Sequence, residues 1–227
     1  MKNRILIIFF LLAFSFVQGQ IQNTLDKTYY LLGTLGDYMG RELCKRNPKK
    51  RNYIMSLHQD DIGQIKRIEE VTMLKFLKRE RKENCINCHE FYELLSHNSA
   101  IAINSFYVFE KQEGYDEKGY KLYSGKLICS KILKASKEQQ HSFIAGLFLT
   151  HGEKFDDVYE ITLYNSQCRY ECTIKILEVL NSKIVSFGRT ERTVPIGYFI
   201  EFVPSEELKL ILDNEIERRI YFDNESL

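Results

Sequence analysis

The chain has 227 residues, with 32 Lys and Arg against 31 Asp and Glu, which gives a formal net charge of +1 at pH 7. This balance argues against a nucleic-acid partner, because nucleic-acid binders owe much of their affinity to an excess of cations that meet phosphates. The length suits one domain, or a domain with a helical extension, and is ample for a hydrophobic core.

The amino terminus has the three parts of a secretory signal. Lys2 and Arg4 supply positive charge, residues 5–17 are almost wholly apolar, and the stretch closes at Gly19. We expect cleavage after Gly19, because the signal ends there in small residues. An uncleaved membrane anchor is disfavoured, because the apolar run is shorter than the ~20 residues that a membrane-spanning helix needs. The mature chain then has 30 basic residues, since Lys2 and Arg4 are lost from 32, against 31 acidic ones. The signal predicts export to a secreted or periplasmic location, with no membrane span after cleavage.

The next part of the chain has helical patterns. Apolar residues recur at spacings of three and four over 23–46 and again over 60–83, which predicts two amphipathic helices, and a third, shorter helix is predicted over 90–96. Gly33, Gly36 and Gly40 either weaken the first helix or let a neighbour approach closely. We therefore predict a helical N-terminal part of two to three helices over 20–98.

Two basic stretches accompany these helices. Residues 46–51 form a basic turn around Pro48, where the first helix must end. The second helix finishes in cations, where the helix dipole favours positive charge. These cations are Lys75, Lys78, Arg79, Arg81 and Lys82.

After Asn98 the pattern changes to strands. Two runs rich in β-forming residues flank the turn-like stretch 113–119, which predicts a hairpin from 100–109 and 120–128. A capping box that begins at Ser136 predicts a helix over 137–150, and an amphipathic helix follows Pro204. Further strands are predicted over 158–164, 172–180, 184–189 and 196–203.

This order of elements predicts an α+β fold. Helices come first, followed by a mostly antiparallel sheet of about five to six strands with two packed helices. We divide the chain into the cleaved signal, 1–19, the helical part, 20–98, and the sheet-containing part, 99–227, and allow the last two to share one core.

One short motif points to a cofactor. Cys85, Cys88 and His89 form a CxxCH sequence, the pattern that c-type haem attachment requires. With an aromatic residue at Tyr92, the segment resembles the haem-attachment segment of helical-bundle c-type cytochromes. The resemblance implies Cys85 and Cys88 as thioether anchors, His89 as the proximal iron ligand, haem c as the cofactor and electron transfer as the function.

The cysteines also allow other interpretations. An even number in an oxidising compartment is typical of disulfides, and all six are candidates: Cys44, Cys85, Cys88, Cys129, Cys168 and Cys172. Cys85 and Cys88 could instead be a redox pair, or could join Cys168 and Cys172 in a four-thiolate zinc site.

No catalytic constellation is present in the sequence. We find no GxSxG, no phosphate-binding glycine loop and no dinucleotide fingerprint, and we assign no catalytic or metal-binding residue. The leading hypothesis is an exported, soluble, disulfide-containing protein without enzyme activity or cofactor. It would act as a binding or interaction module for a protein or small molecule, not for nucleic acid. A c-type haem protein and a thiol-disulfide redox protein are the alternatives.

Overall fold

A computed structural model describes residues 25–79, 90–116, 118–191 and 194–225. Within these ranges the helices are α1 (Lys27–Thr34), α2 (Pro48–Asn52), α3 (Ile62–Thr72), α4 (His97–Asn104), α5 (Cys129–Leu133), α6 (Lys137–His151), α7 (Gln167–Val179) and α8 (Glu206–Glu225). The strands are β1 (Arg41–Leu43), β2 (Tyr53–His58), β3 (Phe76–Lys78), β4 (Phe91–Leu95), β5 (Tyr107–Tyr115), β6 (Lys121–Leu127), β7 (Gly152–Phe155), β8 (Val158–Tyr164), β9 (Lys183–Arg189) and β10 (Gly197–Val203).

The strands form three antiparallel sheets, and the predicted α+β class is confirmed. The strand orders are β1-β6-β5, β2-β4-β3 and β7-β8-β10-β9. Because β1 pairs with β6, the first part of the chain contributes a strand to a sheet whose other members come from the second part. No helix in the described ranges is long and apolar enough to cross a membrane.

Backbone geometry ends the first two helices earlier than the apolar spacing predicts. The pattern over 23–46 gives a helix only to Thr34, because Asp37, Met39 and Gly40 all have positive φ, at 45°, 58° and 95°. The pattern over 60–83 ends likewise at Thr72, since the next residue takes the left-handed conformation. The apolar spacing continues past both points, but the chain turns there and enters strands.

Two short segments take the opposite conformation to the one predicted. The predicted helix 90–96 is the strand β4, which lies between β2 and β3 and pairs with both. The predicted strand 172–180 belongs to α7, where Cys172 and Ile176 are buried four residues apart on one helical face. Short apolar runs fit the period of a helix as well as that of a strand, so the elements that pack against such a run determine its conformation.

The strongest local signals are confirmed. The Ser136 hydroxyl accepts a hydrogen bond from the Gln139 amide, and the Gln139 side chain accepts one from the Ser136 amide, so the capping box is complete. Strand β8 has the predicted bounds, and β9 and β10 begin within one residue of the prediction. The hairpin of β5 and β6 forms, but the predicted strand 100–109 is wrong in its first half, because His97–Asn104 is the helix α4 and β5 begins only at Tyr107.

A close crossing of α1 and α6 lies at the centre of the molecule. A Cβ atom placed on Gly33 would lie 2.1 Å from the Phe143 carbonyl oxygen, and one on Gly146 would lie 2.1 Å from the Tyr30 carbonyl oxygen. Both helices run in the same direction, since Asp26 contacts Ser142 near their starts and the Thr34 carbonyl accepts from Thr150 near their ends. Their carboxyl ends therefore lie side by side.

A buried ion pair fixes α3 and α8 around this crossing. The Arg67 guanidinium donates to both carboxylate oxygens of Glu215, and the Tyr30 hydroxyl donates to the same carboxylate at 2.6 Å. Burial, reinforced by the Glu215 charge, raises the pKa of Tyr30 well above its ordinary value, so the phenol keeps the proton that it donates.

The close crossing predicts that one added methyl group at Gly146 lowers the stability of the folded protein. We expect Gly146→Ala to lower the free energy of unfolding by about 1–3 kcal/mol, because the added Cβ has to push two backbones apart. Chemical denaturation checks this value. Gly114→Ala is the matched control, since the nearest atom to a Cβ there is 3.7 Å away. Equal stability of the two variants would contradict close backbone contact at Gly146.

Candidate functional site

A groove opens where the carboxyl ends of α1 and α6 meet the strands of the first part of the chain. Its cavity has a volume of about 860 Å³. The floor comes from the residues that follow α1 and from the end of α6, the walls from β1 and β2, and the mouth from α2 and the residues after β3.

The floor contains a buried ion pair. The Arg169 guanidinium donates to the Asp37 carboxylate and, at 2.8 Å, to the Leu32 carbonyl oxygen. The Tyr107 hydroxyl donates to the same Asp37 oxygen. Burial first, and then the Asp37 charge, raise the pKa of Tyr107 well above its ordinary value. The Asp37 carboxylate is thus neutralised by Arg169 and held in place by two donors.

His151 lies at the end of α6 and also lines the groove. Its Nε2 atom is buried and has no hydrogen-bond partner among the described residues. Burial, and after it the neighbouring Arg169 charge, lower the pKa of His151 from 6.5 to about 4, although Asp37 acts in the opposite direction. The imidazole is therefore neutral at neutral pH, with one nitrogen able to donate and the other able to accept.

Arg41 joins the two walls of the groove. Its guanidinium donates to the backbone carbonyls of Tyr53 and Ile54 at 3.1 Å and 3.2 Å, and to the Asn104 side chain. These bonds fix β2 beside β1, although the two strands belong to different sheets. Arg41 is buried and its donors are used within the protein, so it is a structural cation.

The mouth carries a different set of cations, three of which are exposed and one of which, Lys50, is partly buried. Asn47 caps α2 by accepting from the amides of Lys49 and Lys50, and its own amide group donates to Asp116 at 3.0 Å. We call Lys49, Lys50, Arg79 and Lys118 the rim cations, since all four line the groove and lie on three separate segments of the chain.

Glu93 on β4 connects two of these segments. Its carboxylate lies 2.9 Å from Lys49 Nζ and 3.6 Å from Arg79 Nε, while the two side chains remain 62% and 54% exposed. One buried acid thus holds two exposed cations at the same mouth. Lys50 pairs separately with Glu42, at 2.7 Å. The groove is therefore lined by exposed cations and by the acids that pair with them.

The residues singled out from the sequence lie elsewhere. Cys85, Cys88 and His89 fall outside the described residues, as does the predicted cleavage point, so cleavage and export stay predictions. Cys129 and Cys172 form a disulfide that joins α5 to α7, with their Cα atoms 5.5 Å apart. Cys44 is a buried free thiol, and Cys168 is a half-buried one. The four-thiolate zinc site is wrong, because Cys172 is bonded to Cys129.

The floor residues Asp37, His151 and Arg169 were not predicted from the sequence to lie in one site. The available signal was weak: the glycines after Leu32 indicate a close approach, but they do not say which helix approaches. Three of the rim cations, Lys49, Lys50 and Arg79, belong to the two basic stretches recognised in the sequence, whereas Lys118 lies outside them. The net charge of the chain does not reveal that these cations cluster, because it also counts the acids in the second part of the chain.

Comparison with known proteins gives structural neighbours only. Neither a protein-family model nor a curated protein matches the sequence. Mesophilic variants of the homing endonuclease I-DmoI have a TM-score of 0.48 at 11% identity, over 84% of this chain and 95% of theirs. I-DmoI in complex with DNA and Ca has a TM-score of 0.46 at 13% identity, over 80% and 83%. I-DmoI in complex with DNA and Mn has a TM-score of 0.46 at 12% identity, over 87% and 95%.

These neighbours are of another class than the one predicted from the sequence. All three are structures of a homing endonuclease, and two of them are complexes with DNA and a divalent metal. The non-catalytic module, the haem c alternative and the exclusion of nucleic acid have no counterpart among them and are not retained, whereas export stays a prediction. The exclusion rested on net charge, which does not reveal that cations from distant segments converge at one mouth.

The floor of the groove does not fit a divalent metal. Such ions need several oxygen ligands, with carboxylates free to bind them. In the described ranges no group of three or more His, Cys, Asp or Glu side chains could hold a metal ion. Asp37 is already paired with Arg169, whose charge would repel a cation. We therefore derive no metal-dependent step at this site.

The buried His151 predicts a specific dependence of stability on pH. Its folded-state pKa lies below 6.5, so the unfolded chain binds more protons between about pH 6.5 and pH 4. The free energy of unfolding should therefore fall as the pH is lowered through this window, by about 3 kcal/mol in total, and should change no further on this account below pH 4.

Denaturation of His151→Gln across the same window tests this effect. The variant lacks the titrating group, so the stability difference between wild type and variant should shift in favour of the variant as the pH falls. His97→Gln, at an exposed residue, is the control. A difference that stays constant from pH 7 to pH 4 would show that His151 is not buried in its neutral form.

Proposed function

We propose that this protein binds nucleic acid, with the backbone phosphates lying on the rim cations. The observation that carries the proposal is the convergence of Lys49, Lys50, Arg79 and Lys118, from three chain segments, at the mouth of one groove. Clustered cations of this kind supply the sequence-independent part of nucleic-acid affinity.

The pairing of these cations with acids does not prevent such contacts. Ion pairs between exposed side chains are worth only about 0–1 kcal/mol, because water screens them and ordering the side chains costs entropy. A phosphate can therefore replace or share the acid. Glu93 serves two cations at once, so the group formed by Lys49, Arg79 and Glu93 carries one net positive charge.

The surroundings hold the rim cations in position. Lys49 and Lys50 lie in the first turn of α2, whose start is fixed by the side chain of Asn47. Asn47 in turn is hydrogen-bonded to Asp116, which also accepts from the amide of Lys118. Three of the four rim cations thus belong to one hydrogen-bonded unit, and Glu93 ties the fourth to it. Fixing the cations before binding lowers the entropy lost on binding.

Removing two rim charges tests the proposal. We expect the double variant Lys49→Gln, Lys50→Gln to bind a fluorescein-labelled oligonucleotide of mixed sequence about tenfold more weakly than wild type at low salt, because two phosphate contacts are lost. The slope of log K against log [NaCl], measured by fluorescence anisotropy from 50 to 200 mM, should decrease in magnitude by roughly 1–2.

The control is Lys175→Gln, Lys183→Gln, which removes the same charge at two exposed residues that do not line the groove. This control should keep the wild-type affinity and slope. Equal weakening in both double variants would mean that only the overall charge matters. Absence of binding by the wild-type protein at 50 mM NaCl would refute the proposal.

A further inference from the structure

We propose that the groove accepts an unpaired base, so that the preferred ligand is single-stranded nucleic acid. This inference rests on the proposed function of the rim and specifies its ligand. The cavity volume, the side chains inside the groove and the charge of the C-terminal sheet support it independently.

The groove has the size and charge distribution that suit a nucleotide. Its volume of about 860 Å³ falls within the ~300–1,000 Å³ typical of small-ligand pockets. The rim cations line the groove together with the carboxylates of Glu42, Glu93 and Asp116, whereas the Asp37 carboxylate is neutralised by the buried Arg169 behind it. A phosphate at the mouth with an uncharged base inside would match both regions.

Aromatic and polar side chains are available to contact the base. Tyr38 lines the groove and is 56% exposed, and Tyr53 lines the wall. Exposed rings of this kind stack on unpaired bases. The neutral His151 Nε2 has no hydrogen-bond partner among the described residues, and the Gln64 amide, which also lines the groove, offers both a donor and an acceptor. The edge of a base carries the matching groups.

The C-terminal sheet disfavours a duplex that extends across the molecule. Its outer face has Glu153 opposite Glu160, and Glu160 opposite Glu201, in one row across three neighbouring strands. The strand that carries Glu153 begins directly after His151, at the groove floor. A long duplex that continued from the rim onto this face would bring phosphates against carboxylates. Contact confined to the groove suits a single strand.

A comparison of oligonucleotides with and without bases tests the inference. The probes are a fluorescein-labelled 12-nucleotide dT strand, the same backbone made entirely of abasic units, and a 12-base-pair duplex. All carry phosphates, so binding through the rim alone would not separate the first two. We expect the wild-type protein to bind the dT strand about tenfold more tightly than either the abasic strand or the duplex.

Variants of Tyr38 locate the contact. Tyr38→Ala should lose the preference for dT over the abasic strand while still binding both, and Tyr38→Phe should retain it, because the ring remains. Tyr164→Ala removes another exposed tyrosine, on the outer face of the C-terminal sheet, and should bind like wild type. Circular dichroism confirms that each variant is folded.

The possible failures can be told apart. Salt-dependent binding with equal affinity for dT and abasic strands, or tighter binding of the duplex, would overturn base insertion and leave rim binding standing. A preference for dT that survives in Tyr38→Ala would overturn the assigned stacking position. No binding of any probe would overturn the proposed function itself. An RNA strand of the same length, as a fourth probe, shows whether the sugar affects affinity.

Discussion

The close crossing of α1 and α6 determines where everything else in this molecule lies. It requires glycine at two positions, because a Cβ on either Gly33 or Gly146 would lie 2.1 Å from a backbone oxygen of the other helix. Since the two helices run in the same direction, the chain leaves both of them at one place. Asp37 and His151, 114 residues apart in sequence, thereby become neighbours on the floor of one groove.

The polar groups around this crossing fall into two classes with different physical roles. Asp37, Arg169 and Tyr107 have buried side chains that are hydrogen-bonded to one another, so breaking any one of these contacts leaves an unpaired polar group in a site of low dielectric constant. Lys49 and Arg79 are exposed, and their ion pairs exchange readily with solvent or a ligand. The first class holds the groove open in a fixed shape, and the second class is free to interact. This division separates the buried groups that fix the shape of the groove from the exposed groups that a ligand can reach.

The sequence predicts the parts of the fold that depend on local chemistry. The capping box at Ser136 fixes the start of α6, and alternating residues fix β8, because both signals act between near neighbours in the chain. Segments whose conformation depends on distant partners are not predictable in this way. The run 90–96 becomes a strand because β2 and β3 lie on either side of it. The groove likewise depends on distant partners. Its basic stretches can be recognised in the sequence, but their contact with Glu93 depends on how the strands pair.

The two halves of the protein differ in what they can offer a polyanion. The N-terminal part presents cations on α2 and after β3, whereas the C-terminal sheet presents a row of three glutamates directly opposite one another. Such a row costs stability, because like charges face each other across neighbouring strands. The same row repels phosphates from that face and confines them to the mouth of the groove. The affinity of the rim for phosphate and the repulsion by the sheet therefore act together, and their balance favours a ligand short or flexible enough to enter the groove.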